Sequence, residues 1–142
     1  MGQQQILLIV LVSIIVGTAI IVGMLFVKSE QVQFMEAEYT ELMLEVAEQA
    51  QAWYRKPTEL GGGGNSFENI SFNQIPCPLG AVEPLNPANC DSDEGYHFIQ
   101  INHNFPGFAS VTSSIDFDQD LYSAEILVYP DKIEWNREWE KQ

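Results

Sequence analysis

The sequence predicts an α+β fold, in which one long N-terminal helix, apolar in its first half and amphipathic in its second, packs on a small antiparallel β-sheet. Three observations predict it. No charged side chain precedes Lys28, and residues 6–27 are apolar apart from Ser13, Gly17, Thr18 and Gly23. Neither Pro nor Gly interrupts residues 28–54, where apolar side chains recur at helical spacing. Beyond the glycine run at residues 61–64, stretches of β-branched and aromatic residues alternate with Asn, Pro, Gly and Asp.

The apolar run is longer than the roughly 18–20 residues that carry a helix across a bilayer. A cleavable secretory signal has a basic start, about 7–15 apolar residues and a small-residue cleavage site. Here no Lys or Arg stands before the run and no A-x-A follows it. The reading is therefore a membrane-spanning segment over residues 6–27.

Residues 28–54 continue as helix. They are rich in Glu, Ala, Leu and Met, all strong helix formers. Val32, Met35, Tyr39, Leu42, Val46 and Trp53 fall on one face, with Ala50 among them, and are expected to pack the helix on the sheet. The acids Glu36, Glu38, Glu41, Glu45 and Glu48 mostly take the remaining positions. With no breaker between the halves, one helix about 75 Å long is expected from about Gln5 to Tyr54. The domain organisation follows: residues 1–54 form the helix, residues 55–142 one small globular β domain.

The six basic and 20 acidic residues all lie from Lys28 onward, so the net charge of −14 belongs to the part outside the apolar run. Such a surface repels phosphates, and direct nucleic-acid binding is not expected. The two cysteines, Cys77 and Cys90, bound the stretch "CPLGAVEPLNPANC". Pro76, Pro78, Pro84 and Pro87 exclude a regular helix there. A disulfide closing a loop of about 15 residues would contribute about 3 kcal/mol on the chain-entropy model, and would place the domain in an oxidising compartment. The alternative is a pair of unbonded buried thiols. No CxxC supports thiol redox chemistry.

Strands are expected over residues 96–102, 108–117 and 122–129, in a sheet of about three or four. The tail "DKIEWNREWEKQ" reads two ways: a short helix would put Trp135 and Trp139 on one face, and a strand through Lys132 to Trp135 fits equally well.

This order of elements, a half-apolar extended helix and then a small sheet stapled by one disulfide, resembles a type IV pilin. The start "MGQQQILLIV" offers Gly2 where pilin-type precursors are cut after a short leader ending in Gly, making Gly2–Gln3 the candidate cleavage site. The stretch "AQAWYRKPTELGGGGNSF" is similar to that of bacterial pilin-like proteins with "GQQQ", a tyrosine–basic–proline turn and a glycine run. The resemblance implies a helical homopolymer. Its assembly core would be Ile6, Leu7, Leu8, Val10, Leu11, Ile14, Ile15, Gly17, Ile21, Gly23, Leu25 and Phe26. It also implies partners: the membrane before assembly, then a pilus assembly machinery. Two features depart from the pattern. The glutamate usual at the fifth mature position is replaced by Gln5, or by Leu7 if cleavage follows Gly2, and the basic residues usual before the cleavage glycine are missing. A neutral Gln is far less costly to bury than a charge.

Enzymatic chemistry finds little support. His97 and His103 flank an expected strand and share one of its faces, so a shared metal is conceivable. About 20 Å of strand separates them, however, and they read as independent surface or loop residues. The glycine run lacks the GK[ST] of a phosphate loop, and no HExxH is present. Acidic clusters are the better ligand candidates. Asp116, Asp118 and Asp120 alternate in "DFDQD", with Glu125 beyond, and could offer calcium several hard oxygens. Asp91, Asp93 and Glu94 form a second cluster, and Asn69 opens an N-x-S sequon. No other cofactor is expected. The sequence is thus read as a major pilin, stored in the inner membrane and then exported into a surface filament. The alternatives are a signal-anchored monomer with an exported interaction domain, or a minor pilin or pseudopilin.

Overall fold

The computed structural model describes residues 2–82, 86–92, 97–102 and 105–142. Its first element is a single helix, α1, Gly2–Arg55. By contacts the chain divides into two compact units, Met1–Met35 and Glu36–Gln142. The boundary lies inside α1, and residues 36–55 of the helix belong with the sheet-bearing unit.

In the second unit, α1 turns a stripe of apolar side chains inward. Tyr39, Met43, Val46, Ala47, Ala50 and Trp53 are buried, at the three- and four-residue spacing of one helix face. They meet six strands in a meander: β1 Gly80–Val82, β2 Asn89–Ser92, β3 His97–Asn102, β4 Ala109–Phe117, β5 Asp120–Val128 and β6 Ile133–Lys141. Every neighbouring pair is antiparallel. The expected α+β layout, a long helix on an antiparallel sheet, is thus the architecture of the chain, with more strands than anticipated. Two of the extra strands, β1 and β2, are short pieces within the proline-rich cysteine loop. The third, β6, resolves the tail as strand, because the β5 edge offers it nine residues of hydrogen-bonding partner.

Period-two alternation decides which side chains enter the core. Along β4, Ala109, Val111 and Ile115 are buried with Ile99 and Ile101 of β3 and Ala124, Ile126 and Val128 of β5. Ser110, Thr112, Ser114 and Asp116 alternate onto the opposite face, where Ser110 and Ser114 are buried, Thr112 is half-buried and Asp116 is exposed. Phe67, Ile70, Phe72 and Ile75, from the irregular segment after the glycine run, complete the core. The disulfide Cys77–Cys90 forms, with Cα atoms 5.6 Å apart, and Cys90 is fully buried.

The C-terminus of α1 is closed by the residues that follow it. The N–H groups of Gly63, Gly64 and Asn65 donate to the carbonyls of Trp53, Lys56 and Tyr54 at 2.8–2.9 Å. The carbonyls that the last turn of a helix leaves without partners are thereby satisfied. A Cβ on Gly63 would collide with the Ser66 carbonyl and the Trp53 ring. Gln51 and Arg55 then tie the helix to the β5–β6 turn: Gln51 Nε2 donates to the Tyr129 carbonyl at 2.7 Å and Arg55 Nη2 to that of Pro130 at 2.9 Å.

Candidate assembly surface

The unit Met1–Met35 has an inverted distribution of polarity. Across residues 6–27 the large apolar side chains are exposed, from 48% at Val12 to 70% at Leu7. All twelve expected core residues, Ile6, Leu7, Leu8, Val10, Leu11, Ile14, Ile15, Gly17, Ile21, Gly23, Leu25 and Phe26, lie on the exposed surface of this helix. An apolar surface of this extent is far beyond what a soluble monomer leaves in water. By length and composition the helix is able to cross a membrane.

The few polar groups in this stretch are neutralised locally. Ser13 Oγ donates to the Val10 carbonyl at 2.8 Å, and Thr18 Oγ1 to that of Ile15 at 2.9 Å. Neither hydroxyl then needs a partner from outside the helix, which suits an apolar environment. Around Gly17 and Gly23 an added Cβ would meet nothing within 4 Å, so both positions are open to close approach by another helix. Gly2 and Gln3, the candidate cleavage site, begin α1, and its first turn holds no acidic side chain.

The expected helix-to-sheet face needs a shift. Tyr39, Val46 and Trp53 are buried and Leu42 is half-buried against the core. Val32 and Met35 are only half-buried and belong to the first unit. Met43 and Ala47, both fully buried, were missed. The spacing that connected Val32 to Trp53 left out the second residue of each pair that a wide helical stripe includes. A further link came from the tail: Trp139 Nε1 donates to Thr40 Oγ1 at 2.8 Å.

The candidate calcium ligands do not converge. Asp118 and Gln119 form a two-residue hairpin turn, both with positive φ, 54° and 70°, the conformation of a type I′ turn. Asp116 pairs with Leu121 and Asp120 with Phe117, so the two flanking carboxylates leave opposite faces of the hairpin. Asp120 is instead bound to Lys141 Nζ at 2.6 Å, a contact that pushes the lysine pKa up. Glu125 accepts from Asn136 Nδ2 at 2.6 Å. Among the described residues no group of three or more His, Cys, Asp or Glu is placed to hold a metal ion. Asp93, Glu94 and His103 lie outside the described residues. His97 packs its ring 5.3 Å from that of Tyr39.

Comparison of the chain with known protein families, curated proteins and solved structures finds no match.

Proposed function

We propose that this chain is the repeating subunit of an extracellular type IV pilus-like filament. The single observation that carries the reading is the exposed apolar surface of residues 6–27, on a helix that continues without a break into the one packed on the sheet. In a bilayer the first half of the helix is a stored subunit. Withdrawn from lipid, it must cover its surface at once, and identical helices offer a matching one. Burial at roughly 25 cal/mol per Å² over a segment of this size would hold a polymer together. The partners are then other copies of the chain, the membrane before assembly and a machinery that extracts the subunit. The acidic domain, with its disulfide, belongs on the oxidising side of that membrane.

A simple anchored module would also need an apolar span. It would gain nothing, however, from an uninterrupted helical continuation beyond residue 27. Electron microscopy of material sheared from cells, labelled with an antibody to residues 57–142, separates the two. Evenly decorated thin filaments are expected. Bare filaments, with the protein retained in the detergent-soluble membrane fraction, would overturn the reading in favour of the anchored module.

A further inference from the structure

Among the described residues, Phe34 is the most exposed large apolar side chain, at 71%. It stands beyond the apolar run, on a stretch of α1 where Glu30, Gln31, Gln33 and Glu38 are exposed with it. Lipid does not account for the ring. Glu30, Glu36 and Glu38 all lie within four positions of it, and carrying these carboxylates into hydrocarbon would be costly.

Gly23 lies 11 positions earlier. At 3.6 residues per turn that is three turns, so the two residues share one helix face to within about 20°. Val16, Ile20 and Val27 fall on the same side of the helix. Around Gly23 the side chains of Ile20, Met24, Val27 and Lys28 rim a shallow hollow, and a Cβ on the glycine would meet nothing within 4 Å. Hollow and ring both belong to the unit Met1–Met35. They are a hole and a knob on one apolar seam, about 16 Å apart along the axis. One chain cannot join them, because α1 is unbroken from Gly2 to Arg55. A parallel copy displaced by three turns can.

We propose that Phe34 of one copy seats in the Gly23 hollow of a neighbouring copy, which fixes their axial offset at about 16 Å. The contact rests on the filament reading. Charge favours the same offset. Glu38 comes level with Val27 and Lys28 of the neighbour, whereas copies in register would set Glu30, Glu36 and Glu38 against their own counterparts. The offset is also peculiar to a filament. In a bilayer the apolar run of every copy stays within about 30 Å of hydrocarbon, so neighbours lie level. Sliding one copy by three turns would draw about half of its run out of the lipid.

The test uses the full chain in two variants, Phe34→Cys and Gly23→Cys, one of them carrying an epitope tag. Sheared filaments are oxidised and run on a non-reducing gel. A mixed dimer is expected when the two are co-expressed, and no dimer from filaments of either alone. Filaments that give no mixed dimer, or that link Phe34→Cys to itself, overturn the contact and leave the filament reading in place. A wild-type chain that forms no filaments overturns that reading, and the contact with it. Should the cysteine variants fail to assemble, Phe34→Ala decides. Its filament yield is expected to fall about tenfold, with Phe34→Leu keeping most of the yield and urea unfolding of the sheet domain unchanged. An undiminished yield from Phe34→Ala overturns the proposal.

Discussion

Met43 carries more of the fold than its neighbours on α1. It is fully buried in the core that also holds Ile99, Val111 and Ile126, whereas Leu44, one position on, is 38% exposed. Truncating a buried Met removes both its transfer free energy and the contacts around the space left behind. Met43→Ala is therefore expected to lower stability by about 2–5 kcal/mol in urea unfolding, and Leu44→Ala by well under about 1 kcal/mol. Equal effects would mean that the helix does not present this face to the sheet. The aromatic residues divide in the same way. Trp139 is half-buried with its indole N–H bonded to Thr40, while Trp135 is 45% exposed on the same strand. Phe105 is half-exposed and stacked on Phe108, which in turn leans on Tyr129.

Among the elements, β1 and β2 depend most on covalent help. They have three and four residues and share one short ladder at the edge of the sheet. The disulfide spans 13 positions and ties Cys90 of β2, within the core, to Cys77 ahead of β1. Replacing both cysteines by alanine is expected to cost about 3 kcal/mol, with loss of amide protection concentrated in β1 and β2. Hydrogen exchange read residue by residue checks this; uniform loss across the sheet would contradict it. The opposite edge, β6, is as long as β4 and β5. Glu134, Arg137, Glu138, Glu140 and Lys141 stud it with charge, which discourages pairing with a foreign strand.

At the scale of the whole molecule, a net charge of −14 works against any polymer of this chain. Copies packed through an apolar core bring their acidic domains together, and repulsion between them is screened over about 8 Å at physiological ionic strength. Filament yield in detergent is expected to rise between roughly 0.01 and 0.15 M salt, as the screening length falls. Acidification acts on the folded domain itself. Burial raises the pKa of Glu36 above its ordinary value of 4.5. Its folded carboxyl takes up a proton before the unfolded one does, so stability rises as pH falls through the folded pKa. Sedimentation of the polymer against salt measures the first effect, and urea unfolding against pH measures the second. A yield that falls with added salt would mean that charge pairing, rather than apolar burial, holds the copies together.

The amino-acid sequence by itself determined the long helix, its division into apolar and amphipathic halves, the three central strands and the cysteine pair. Each is written in a local signal: an uninterrupted apolar run, a helical period, a period of two, and two cysteines in one proline-rich loop. Only the tertiary structure decided the rest. The tail becomes β6 because β5 has a free edge to pair with, and four alternating residues cannot reveal that edge. Phe67, Ile70, Phe72 and Ile75 enter the core from a segment without periodicity, so no pattern announces them. The aspartates at 116, 118 and 120 looked like a ligand set along the chain, yet a two-residue turn sends the flanking pair to opposite faces. The closure of the helix end was equally hidden, because residues 53–65 converge only once the glycine turn has folded back on the helix. Local periodicity fixes which face a residue takes on its own element; which faces meet depends on how the elements pack.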